Sequence, residues 1–242
     1  VLLVWSGVVV LAILGVAAAL ARAAFPDDLA TRIDPFRDSM MHLLDREDPF
    51  VYRRAEELAR FDNRFAAHPV LTLLHVLPGA LFLALAPVQF SSTVRKRHLG
   101  FHRWSGRMLV VAALVAGLTG LYFGLLMPFG GRAEAMAIAL FGGLLLFAVS
   151  RAFLAIRRRD VGRHREWMIR ALSLGIAVST VRVVGPLFDV VLTPAGWSSS
   201  NVFALSVWAG WVLTVAVAEV WIRTTRTEGP RSTPLRSTRS TR

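Results

Sequence analysis

The chain has 242 residues, no cysteine, a hydrophobic fraction of 55%, charged residues at 18%, a mean hydropathy of +0.53 and a formal net charge of +12. It is too apolar for a single soluble domain, and the lack of thiols excludes disulfides, thiolate metal sites, iron–sulfur clusters and cysteine nucleophiles. The basic excess does not point to nucleic acid, because it falls in short clusters between long apolar runs, the pattern of a protein that crosses a bilayer.

A helix needs about 20 mostly apolar residues to cross a hydrocarbon core of roughly 30 Å. Six segments meet that requirement: Val1–Ala21, Val70–Phe90, Met108–Phe129, Ala135–Ile156, Ala171–Leu192 and Val202–Ile222. The first lacks a basic leader and exceeds the apolar length of a cleaved signal, so residues 1–24 are expected to be a signal anchor. Residues 25–67 follow, with seven arginines against ten carboxylates, and are expected outside the cell. Within them, Pro35–Glu47 and Phe50–Phe65 have helical periodicity. Phe36, Met40, Leu43 and Leu44 share one face, and Tyr52, Leu58, Phe61 and Phe65 another. These read as amphipathic helices resting on the outer face, or as a lid.

Residues 68–223 form the main membrane unit. The link between segments two and three carries Arg95, Lys96, Arg97, Arg103 and Arg107, and that between four and five carries Arg157, Arg158, Arg159, Arg163 and Arg165. The opposite turns carry Arg132 alone or, over Thr193–Asn201, no charge. The positive-inside rule therefore puts both termini in the cytoplasm of a bacterial cell, with the chain in its inner membrane. Residues 224–242, rich in Ser, Thr, Pro and Arg, are expected to be a disordered basic tail near anionic lipid heads.

The two basic links repeat each other. Arg95-Lys96-Arg97-His98-Leu99-Gly100-Phe101-His102-Arg103 aligns with Arg157-Arg158-Arg159-Asp160-Val161-Gly162-Arg163-His164-Arg165 at a constant offset of 62, and Trp104 and Trp167 follow. Segments two plus three and four plus five are thus hairpins of the same topology, related by a pseudo-two-fold axis along the membrane normal. The expected fold is all-α: six transmembrane helices, of which the second to fifth make a four-helix bundle from two repeated hairpins. The symmetry sets His102 and His164 on diagonal helices at matching depth. Two facing imidazoles are what a six-coordinate haem iron requires, and Arg103, Arg107, Arg165 and Arg170 would neutralise its propionates. The competing reading is that each His-Arg-Trp cluster contacts phosphate headgroups.

His75 through Arg107, with Gln89-Phe90 and His102-Arg103-Trp104-Ser105-Gly106-Arg107, then His164-Arg165-Glu166-Trp167-Met168-Ile169-Arg170, Arg182 and Glu219, carry a family likeness. The stretch from His68 to Arg223 resembles the bacterial integral membrane family known as domain of unknown function 2306, which implies fold and location. More loosely, the plan is similar to cytochrome b561, in which histidines on core helices hold two haems. His102 and His164 match one such pair. The other is broken, since the offset from His75 lands on Ala137, next to Met136.

Ionisable residues inside a bilayer are functional hypotheses. Arg182 falls slightly past the midplane toward the outside, Asp189 lies seven residues later and nearer the outer surface, His75 comes at a comparable outer-leaflet depth, and Gly185-Pro186 is expected to kink the fifth segment between the first two. They read either as a polar site for a quinone, an anion or a proton relay, or as a structural cluster. Glu219 is expected to pair with Arg223 one turn on. His42 and His68 read as surface or interfacial residues, and His98 has an aspartate as its repeat counterpart. Three functions remain: a haem protein in membrane electron transfer with a quinone or other redox partner, a small-molecule or ion transporter, and a non-catalytic scaffold. No nucleotide-binding loop, metalloprotease helix or nucleophile elbow is present.

Overall fold

Hydropathy alone does not set where the helices begin. The computed structural model describes residues 2–25 and 51–225, and among them eight helices and no strand are found. These are α1 (Leu2–Ala24), α2 (Val51–Ala66), α3 (Pro69–Phe90), α4 (Ser92–Arg97), α5 (Leu99–Leu126), α6 (Gly131–Arg157), α7 (Val161–Leu192) and α8 (Ser199–Thr224). All but α2 and α4 are long and apolar enough to span a membrane. The expected helix over Pro35–Glu47, His42 and the tail beyond Thr225 lie outside the described residues; the periodic stretch from Phe50 is realised as α2.

α3 opens with Pro69 in its first turn, where a missing N–H costs nothing. Ser91 ends it and also starts α4, accepting from the Val94 N–H. α5 and α7 begin well before their apolar runs because polar residues continue the helix: His98 is the N-cap of α5, and Asp160 caps α7 by accepting from the Arg163 N–H at 2.9 Å. These N-caps are repeat counterparts, so His102 and His164 are each the fourth residue of their helix. α7 continues through Gly185-Pro186 to Leu192.

α3, α5, α6 and α7 pack in that order around a ring that closes through a thinner α7–α3 contact, so α5 and α7 are diagonal, as are α3 and α6. α1 lies against α3 and α7, and α8 against α7 and α6. The core is rich in alanine, including Ala86, Ala112, Ala113, Ala137, Ala148 and Ala171. Small residues let helices approach closely where lipid offers no hydrophobic drive for association. At Gly210 a Cβ would stand 2.7 Å from the Val181 side chain and 3.1 Å from its backbone nitrogen, which fixes the α7–α8 approach. Large apolar side chains such as Ile13, Val111, Leu118, Val212 and Val220 point outward, as a bilayer requires and water would not tolerate.

The ring has two ends. The basic end holds α4, the α6–α7 link and the start of α5; the far end holds α2, the α5–α6 turn and the start of α8.

Candidate functional site

At the basic end, His102 is half-buried, and its Nδ1 is sealed from solvent without a hydrogen-bond partner. His164 and Arg95 lie within electrostatic reach of its ring. On the diagonal helix, His164 Nδ1 stands 2.9 Å from the Ala152 carbonyl of α6. A carbonyl only accepts, so that nitrogen donates a proton, and in the neutral ring Nε2 carries the lone pair. Gln89 of α3 donates to the Ser105 hydroxyl of α5 at 2.5 Å, and that hydroxyl donates to the Phe101 carbonyl at 2.6 Å. This chain ties α3 to α5 within a turn of His102.

The four arginines expected near the propionates divide. Arg103 and Arg107 are exposed beside His102. Arg165 donates to the Thr225 hydroxyl at 2.8 Å. Arg170 holds Glu219 of α8 through two hydrogen bonds of 2.5 and 2.9 Å and stacks on Trp167. Glu219 thus pairs across helices with Arg170 and not with Arg223 one turn away, because the α7–α8 contact brings the planar fork of Arg170 onto the carboxylate.

The far end is closed by α2, and here charges that sequence reasoning did not single out come together. Arg22 of α1 meets Asp62 of α2 at 2.6 Å, and Arg64 of α2 meets Glu134 of α6 at 3.1 Å, all deeply buried. Glu134 also accepts from the Gly130 N–H at 2.6 Å, and Glu57 accepts from the Ser199 N–H at the start of α8 at 2.8 Å. The Arg64 guanidinium sits 4.3 Å from the Phe61 ring and 4.8 Å from the Phe65 ring, with Phe129 and Phe203 completing the box. Burial pushes Arg64 below its ordinary pKa, while the charge and hydrogen bond of Glu134 pull it back up. The available signal was an aromatic pair four residues apart, Phe61 and Phe65, flanking charges that a solvated face would not need.

His75, Arg182 and Asp189 are distributed around the interior of the same half. His75 Nδ1 lies 3.0 Å from the Ala116 carbonyl and 3.3 Å from the Thr119 hydroxyl oxygen of α5. Arg182 donates to the Val178 carbonyl of its own helix at 2.8 Å and lies within electrostatic reach of His75. Asp189 is buried and accepts from the Thr193 hydroxyl at 2.7 Å; among the described residues no ion pair joins it to Arg182. Ala137, the repeat counterpart of His75, is fully buried in the core. No group of three or more metal-ligating side chains occurs among the described residues.

No curated protein and no solved structure matches the chain. A family model, described as "Predicted membrane protein (DUF2306)", matches residues 72–222, which takes in all of the ring but the first three residues of α3, and most of α8. The chain belongs to this membrane-protein family.

Proposed function

We propose that the chain binds one b-type haem between His102 and His164 and takes part in electron transfer in the bacterial cytoplasmic membrane, with the basic end facing the cytoplasm and a quinone or redox protein as partner. One observation carries the reading: two diagonal helices each present a histidine as their fourth residue, and on each ring one nitrogen has no hydrogen-bond partner among the described residues. Bound haem would supply a one-electron couple whose potential depends on its axial ligands and surroundings.

The chain's own residues have separable tasks. The Ala152 carbonyl fixes the tautomer and tilt of His164 by accepting from Nδ1, the usual outer partner of a ligating imidazole. The unpartnered Nδ1 of His102 is a buried polar atom that a bound group would relieve. Arg103 and Arg107 are exposed and would hold the carboxylates, whereas Arg170 is already engaged by Glu219. His75 lies in the other half of the ring with no histidine as its repeat mate, so it supports no second haem.

Haem content tests this reading. Pyridine haemochrome analysis of protein made with ample haem should give about one haem per chain, falling below about a tenth of that in His102→Ala and His164→Ala, since six-coordination needs both nitrogens. His75→Ala should retain it. Equal haem in wild type and both ligand variants would overturn the assignment.

A further inference from the structure

The far half of the ring holds a cation that no described residue neutralises. Arg182 lies ten residues before the end of α7, or about 15 Å in from that end at 1.5 Å per residue. Among the described residues no carboxylate lies within ion-pair distance of it; its one hydrogen bond goes to the Val178 carbonyl. Pro186, four residues on, has no N–H to offer the Arg182 carbonyl, so the backbone there is polar as well. An uncompensated guanidinium at this depth is expensive.

Its direction follows from its helix. His164, Met168, Ala171, Gly175, Val178 and Arg182 recur at alternating spacings of four and three and so form one stripe. Along that stripe His164 bonds α6, Ala171 is fully buried, and Gly175 abuts Phe82 of α3. The stripe therefore turns toward α3 and α6, and on it Val178 is 36% exposed and Arg182 is exposed too. α3 and α7 run antiparallel, and seven residues beyond the Phe82–Gly175 contact stand His75 on one helix and Arg182 on the other.

His75 complements the guanidinium. The Thr119 hydroxyl donates to the Val115 carbonyl at 2.7 Å, so toward His75 it acts, like the Ala116 carbonyl, as an acceptor. Nδ1 therefore donates its proton, and in the neutral ring Nε2 presents a lone pair that no described side chain uses. The other charges nearby are Arg22 from α1, Arg64 from α2, Glu134 from α6 and Asp189 from α7, while α5 offers only Thr119. Arg22 and Arg64 already have Asp62 and Glu134.

We propose that Arg182 and His75 form a binding site for a carboxylic acid, which enters neutral and divides between them. The acid O–H bond breaks, its proton forms an N–H bond at His75 Nε2, and the carboxylate accepts from the Arg182 guanidinium. The net charge of site plus ligand does not change, and Arg182 gains an anion that no described residue supplies. The exposed apolar surface at Val178 takes the apolar part of the ligand. The acid is either a fatty acid drawn from the bilayer or a small soluble organic acid; both present the same carboxyl group.

Octanoate and acetate, titrated separately by calorimetry into the purified full chain in detergent, test the site. One proton enters with each carboxylate, so above the pKa of the acid the apparent Kd should rise about tenfold per pH unit between pH 6 and 8. Octanoate alone binding marks a bilayer ligand, and both binding marks a soluble one. Arg182→Gln should weaken binding at least about tenfold, as loss of a charge-assisted pair implies. His75→Asn should flatten the pH dependence. No binding of either acid to the wild type, a Kd independent of pH, or equal competition by chloride would overturn the proposal without requiring any variant to fold.

Discussion

Arg64 and Glu134, seventy residues apart in sequence, form an ion pair of 3.1 Å that fastens α2 to the first turn of α6 inside an aromatic box. Breaking such a pair from one side leaves a buried charge alone, which costs more than the pair itself contributes. Glu134→Ala should therefore destabilise the detergent-solubilised protein by about 3–5 kcal/mol, seen as a large fall in thermal midpoint. The double replacement Arg64→Met, Glu134→Leu should recover most of the loss. A Glu134→Ala protein that melts with the wild type would show that the pair does not hold α2.

The second interhelical pair discriminates between two partners for one carboxylate. Arg170 is bidentate on Glu219, while Arg223, the partner that spacing alone suggests, is exposed. Arg170→Ala should cost about 1–2 kcal/mol, given that both side chains are partly solvated, and Arg223→Ala close to nothing. Equal effects in thermal melts would restore the local pair.

Gly120 sits where a Cβ would come within 3.0 Å of His75 Cε1 and 3.4 Å of Nδ1. Gly120→Ala should push the imidazole off the Ala116 carbonyl and cost about 1–3 kcal/mol as an overpacked site. The same variant should weaken octanoate binding. Unchanged stability and binding would mean that the ring moves aside freely.

How much of this was legible in the sequence depends on the physics behind each feature. The six spans were legible because a bilayer demands a long apolar run, but their ends were not. Leu99–Arg107 and Val161–Arg170 are polar helix beyond the hydrocarbon, stabilised by caps such as Asp160 that hydropathy does not register. The matching positions of His102 and His164 followed from the repeat offset, because equal sequence steps from equivalent caps give equal turns. Arg22–Asp62 and Arg64–Glu134 were not legible, because periodicity assigns a residue to a face and says nothing of what another helix brings against it. Glu219 teaches the same lesson at shorter range: spacing offered Arg223, and the α7–α8 contact supplied Arg170.

Orientation can be read directly, since the chain has no cysteine to remove. Asn63 on α2 and Thr93 on α4 are both exposed and lie at opposite ends of the ring. In intact cells an impermeant maleimide should label Asn63→Cys and spare Thr93→Cys until the membrane is opened, as the positive-inside rule predicts for the arginine-rich end. The opposite pattern would invert the topology.

The assignment of a haem to His102 and His164 is tested most directly by the dithionite-reduced minus oxidised absorbance spectrum of the purified protein made with ample haem. The account predicts the sharp bands of a low-spin b-type haem with two nitrogen ligands. Protein that is colourless in both states, and stays so after incubation with haemin, would contradict it.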